Sequence, residues 1–158
     1  MNFPEGMIGE IYWLPLASVL ISNSIRDLRK KEIFLWPTAL LGLLGIGWKI
    51  FLIYTEVWNT GMTLREMEYL LFVPLLPGIA AAILSFTSKG NLGMGDAIML
   101  LVFGAWENAE TVIPAMLFAL AGLGTYSAVM FMSGRRRIEI PAVPFLAGGF
   151  FLTLLMGC

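Results

Sequence analysis

The chain has 158 residues and a formal net charge of −1, and is 58% hydrophobic with 13% charged residues, at a mean hydropathy of +0.82. That leaves too little polar surface for a soluble domain of this size and indicates an integral membrane protein. The near-neutral charge lacks the basic face that phosphate neutralisation requires, so nucleic acid is not an expected partner. There is no His, and the single Cys is Cys158, which leaves no route to Ser-His or Cys-His triads, an internal disulfide, or a His- or thiolate-based metal site.

Apolar segments fall in chain order at about 7–25, 33–54, 69–86, 93–106, 109–132 and 141–158. Most are near the ~20 residues a helix needs to cross a ~30 Å hydrocarbon core. The fourth is short, which predicts that it begins in a protein-lined cavity, where irregular backbone is tolerated. Residues 1–10 carry Glu5 and Glu10 but no Lys or Arg, unlike the basic opening of a secretory leader. Thr63-Leu64-Arg65-Glu66 fits a capping box at the start of the third helix, although a plain polar loop reads almost as well.

The basic residues set an expected orientation. Arg26, Arg29, Lys30 and Lys31 fall in the first connection, Lys89 in the third, and Arg135, Arg136 and Arg137 in the fifth, eight of the ten Lys and Arg residues. The even connections hold Arg65 against five Glu residues, and Lys49 lies in the second span, where its stem could snorkel to the surface. The positive-inside rule then gives an all-α polytopic membrane protein, a single domain over 1–158 with about six transmembrane helices and both termini extracytoplasmic.

Two carboxylates stand out. Asp27 lies at the first boundary, in Ser24-Ile25-Arg26-Asp27-Leu28-Arg29, and Asp96 opens the fourth helix in Gly93-Met94-Gly95-Asp96. Two intervening spans put both on the same, cytoplasmic side. Acids at membrane boundaries are costly and mark candidate functional sites. If the two meet, they share a proton: the ionised one can take a proton from water while the protonated one polarises a peptide carbonyl. Such peptide hydrolysis needs no His, cofactor or metal. Gly93 and Gly95 would let a substrate backbone approach closely. Taken singly, Asp27 also reads as a helix-flanking partner of Arg26 or Arg29, and Asp96 as a helix N-cap.

Three blocks together resemble the type IV prepilin peptidases and their archaeal preflagellin-peptidase relatives, membrane aspartic proteases with a G-x-G-D motif. Ile25-Arg26-Asp27-Leu28-Arg29-Lys30-Lys31-Glu32-Ile33 resembles the family's first catalytic Asp with its basic turn. Gly93-Met94-Gly95-Asp96-Ala97-Ile98-Met99-Leu100-Leu101 resembles the second, and Ile140-Pro141-Ala142-Val143-Pro144-Phe145-Leu146-Ala147 the Pro-rich start of the last helix. There are departures: Phe34-Leu35-Trp36-Pro37 stands where many members have Pro-Asn, and Ile98 where a Lys often stands. The resemblance is to short, peptidase-only forms without the Cys tetrad, so methyltransferase activity is not expected.

The resemblance implies catalytic roles for Asp27 and Asp96, and pilin-like precursors with a short basic leader as partners, cut at the cytoplasmic face of the cell membrane. Docking of a basic leader on a basic face would need local acids. Glu32 and Glu139 are the candidates, although offsetting Lys30, Lys31 and the Arg cluster explains them as well. Two other classes stay open: a proton- or ion-coupled transporter with Asp27 and Asp96 as a relay, and a non-enzymatic pilus-assembly relative.

Overall fold

The computed structural model describes residues 13–30, 32–61, 63–87, 93–133 and 141–157, and among these every regular element is helical. The elements are α1 (Leu14–Lys30), α2 (Leu35–Thr60), α3 (Leu64–Phe72), a 3₁₀ turn (Val73–Leu75), α4 (Leu76–Thr87), α5 (Met94–Trp106), α6 (Ala109–Met132) and α7 (Val143–Met156). They follow the apolar segments closely. Three stretches, Leu35–Thr55, Leu64–Thr87 and Ala109–Met132, are long and apolar enough to cross a membrane, and α5 and α7 are shorter apolar helices.

The first boundary differs from the sequence expectation. Arg26, Asp27, Arg29 and Lys30 belong to the last turns of α1, not to a connection. Arg, Lys and Leu are good helix formers, and Arg29 and Lys30 in the last turn offset the negative helix end, so the helix outruns its apolar run. Its buried stripe is Leu16, Ala17, Leu20, Asn23 and Asp27, at the three- and four-residue spacing of one helix face. Asp27 therefore points inward.

The Thr63 capping box is present: Thr63 N–H donates to Glu66 Oε2 at 2.8 Å, and Glu66 N–H to Thr63 Oγ1 at 3.4 Å. The helix it starts tightens at Val73–Leu75, where Pro74 and then Pro77 withhold backbone donors. The Pro74 carbonyl sits against Gly104 of α5, where any Cβ would collide with it. Helix α2 ends on Gly61 at φ 66°, the left-handed closure that glycine adopts without strain.

Helix α7 packs along both α6 and α1, while α5 packs along α2 and α4. The two groups share one core of Leu16, Leu20, Met99, Phe103, Val143 and Phe150. Phe103 of α5 meets Phe150 of α7 edge to face, with ring centroids 5.5 Å apart. The short α5 is the enclosed helix of the bundle, with Ala97, Met99, Val102, Phe103, Gly104 and Ala105 buried. Large apolar side chains of the long helices, among them Trp36, Leu43, Trp58 and Phe86, face outward.

Lys49 does not snorkel. It is buried, and its Nζ donates to the carbonyls of Gly104 at 2.8 Å and Glu107 at 2.6 Å. Helix ends carry carbonyls without intrahelical donors, and in apolar surroundings something other than water must satisfy them. A cation at that end also offsets the helix dipole. The α2–α5 seam is close enough for this because Gly42 faces Val102 and Gly45 faces the Trp106 ring. The Trp106 indole N–H in turn donates to the Leu41 carbonyl at 2.9 Å.

Candidate active site

Asp27 projects from the inward stripe of α1, and its Oδ2 accepts the backbone N–H of Val143, the first residue of α7, at 3.2 Å. Helix N-termini present donors without intrahelical partners and attract negative charge. Pro144, next in line, has no N–H to offer. The carboxylate of Asp27 thus holds the entry of α7.

Asp96 lies in the first turn of α5, behind the N-cap residue Gly93, and its N–H closes on the Gly93 carbonyl at 3.1 Å. It is half-buried at a cleft of about 100 Å³ between α5, α6 and α7. Met99 and Leu100 of α5, Met116 and Leu120 of α6, and Val143 and Phe145 of α7 form its walls, and among the described residues all that line it other than Asp96 are apolar. Val143 is shared: its N–H reaches Asp27, and it also lines the cleft of Asp96. Both carboxylates therefore border Val143 at the start of α7. The structure therefore brings Asp27 and Asp96 to one end of α7.

The two glycines differ. Gly93 is exposed, and a Cβ there would come within 3.1 Å of Asp96 Oδ2, so its lack of a side chain leaves that oxygen room. Gly95 faces protein: a Cβ would lie 2.8 Å from Ile33 Cδ1. Its small size serves packing of the 32–34 connection onto α5 rather than an open surface.

Glu32 is exposed and pairs with Arg26, Nη2 to Oε2 at 3.4 Å, and the Arg26 guanidinium stacks over the Phe34 ring at 3.5 Å. Its partner among the described residues is thus Arg26, one turn before Lys30. Glu139 lies outside the described residues, as do Lys89, Arg135, Arg136, Arg137 and Cys158.

One buried polar group beside the carboxylates escaped the sequence reading. Asn23 is 1% exposed, and its Nδ2 donates to Thr38 Oγ1 at 2.8 Å and to Met99 Sδ at 3.3 Å. Its Oδ1 accepts the Phe34 N–H at 2.9 Å. The available signal was its position, four residues before Asp27 on the same face of an otherwise apolar stripe.

The chain matches no family model, no curated protein and no solved structure.

Proposed function

We propose that the protein is a membrane aspartic endopeptidase that removes short basic leaders from pilin-like precursors, of the prepilin or preflagellin kind. The observation that carries this reading is the convergence of Asp27 and Asp96 on the first residue of α7. Two acids at close range hold one proton between them. The ionised member takes a proton from a water molecule as that water adds to the scissile carbonyl carbon. The protonated member hydrogen-bonds the carbonyl oxygen and offsets its developing charge. Collapse of the resulting diol breaks the C–N bond, with a proton delivered to the leaving amine. The chain's own carboxyls perform each proton transfer.

The apolar walls of the cleft support a substrate whose hydrophobic portion continues beyond the cut. The resemblance of the three sequence blocks supports a basic leader on the other side. The same reading takes the chain as six spans with both termini extracytoplasmic and the carboxylates at the cytoplasmic face, supported by the clustering of basic residues at positions 26–31, 89 and 135–137. A relay transporter is less well supported. Among the described residues, the next buried ionisable groups, Lys49 and Glu107, stand at the other end of α5. That is roughly 16 Å from Asp96 at 1.5 Å per residue, and the residues of α5 between Asp96 and Glu107 are all apolar or glycine.

Co-expression with candidate precursors in a host lacking leader peptidases of this kind tests the proposal. Loss of the leader, read as a gel shift and confirmed by N-terminal sequencing, is the expected result. Precursors that stay intact beside a correctly inserted protein would count against it. Reporter fusions after each helix test the orientation, and a cytoplasmic C-terminus would break the six-span reading.

A further inference from the structure

We infer that Asn23 is a positioning residue that sets the axial register of the two carboxylate-bearing helices, and so the spacing of Asp27 and Asp96. The inference rests on the proposed dyad and adds to it a residue outside the reacting pair.

Asn23 lies one turn before Asp27 on α1, and Met99 lies one turn after Asp96 on α5. The Asn23–Met99 contact therefore crosses between the two helices about one turn, roughly 4.5–6 Å along the axis, from each residue that bears a carboxylate. A second route leads from Asn23 to Asp96. Its Oδ1 holds the Phe34 N–H, adjacent Ile33 packs on Gly95, and Gly95 precedes Asp96. Thr38 gives a third anchor, on α2, which packs along α5. One amide thus ties α1 to the connection, to α2 and to α5 at one level.

The residue type fits the task. Asn offers two donors and an acceptor on one short planar group, and here both faces are used. Leu of similar size would leave the Phe34 N–H and the Thr38 hydroxyl without this partner. Asp would keep an acceptor for Phe34 but lose the donors to Thr38 and Met99. A buried group of this kind specifies one arrangement, because slippage in either direction breaks its bonds at once. Apolar core contacts tolerate small slips far better.

The test measures distance without requiring catalysis. Cys residues replace Asp27 and Asp96 in a Cys158→Ser background, and thiol cross-linkers of graded length are applied to the detergent-solubilised protein. With Asn23 present, one narrow range of lengths should react. In Asn23→Leu the reactive range should broaden or shift, with yield at the parent optimum falling at least threefold. Thr38→Val and Met99→Leu each remove one bond at nearly constant volume, and should produce the same change in smaller measure if Asn23→Leu fails to fold. Unchanged length profiles in the folded variants would overturn the inference. In otherwise native protein acting on a precursor, Asn23→Leu should lower kcat at least tenfold with KM within twofold, and equal losses in both would overturn it too. If the parent cleaves no precursor at all, the peptidase reading fails while the cross-linking result still stands or falls by itself.

Discussion

The backbone N–H of Val143 donates to the carboxylate of Asp27 across 3.2 Å, joining the last turns of α1 to the first residue of α7. The side chain proposed to transfer protons therefore also caps a helix, and the proposed role and the capping role separate by substitution. Asp27→Asn retains an oxygen acceptor, whereas Asp27→Ala leaves the N–H unpaired. Thermal unfolding in detergent should find Asp27→Ala less stable by about 1 kcal/mol, the usual worth of such a cap. Asp27→Asn should lie within about 0.5 kcal/mol of the parent. Equal destabilisation of both would remove the capping role.

Gly95 and Ile33 form a testable pair, because the space beside Gly95 is filled by the tip of the Ile33 side chain. Gly95→Val should impair cleavage by pushing the connection off α5, at a cost typical of overpacking, about 1–3 kcal/mol. Ile33→Ala alone should cost less. The double variant should recover much of the lost stability and activity. If Ile33→Ala gives no rescue, Gly95 is needed for approach of the substrate backbone instead.

Lys49 is expected to matter for stability although it lies far from the carboxylates. Lys49→Met keeps the length of the side chain but strips donors from the Gly104 and Glu107 carbonyls. Buried carbonyls left without partners cost about 1–3 kcal/mol each. A fall in thermal stability of Lys49→Met, with precursor affinity unchanged in what remains folded, would confirm a structural cap. Parent-like stability would contradict it.

Glu107, in the connection between α5 and α6, gives a pH signature. Burial pushes its carboxyl up from 4.5 to about 7, against the pull of Lys49 and a hydrogen bond with Thr111. Between these values the folded protein keeps a proton that the unfolded chain has released. The resulting stability is fully present below about pH 4.5 and is lost as pH rises to about 7, by at most about 3 kcal/mol. The difference in unfolding temperature between the parent and Glu107→Gln, followed from pH 4.5 to 8, should show this slope. A flat difference would contradict it.

The long helices were legible because lipid demands uninterrupted apolar stretches, and α6 begins and ends where the hydropathy does. Asp27 and Asp96 were legible because acids beside such stretches are rare and costly. The extent of α1 was not, since its last turns are polar and hydropathy alone ends the segment at the first Arg. Nor was the task of Lys49, because the carbonyls it serves lie on α5, far along the chain. Asn23 was missed for a similar reason: a polar residue on an apolar stripe does not disclose its partners, and those of Asn23 come from Phe34, Thr38 and Met99. The glycine before Asp96 was conspicuous, but the occupant of its empty side-chain space was fixed by tertiary packing.

The most direct test of the account is precursor cleavage by purified parent, Asp27→Asn and Asp96→Asn proteins in detergent or vesicles. Size-exclusion profiles and unfolding temperatures would establish that all three are equally folded. Leader removal by the parent and at least a thousandfold loss in each variant are expected, because a shared proton needs one acid and one carboxylate. Substantial turnover by either folded variant would contradict the carboxylate dyad.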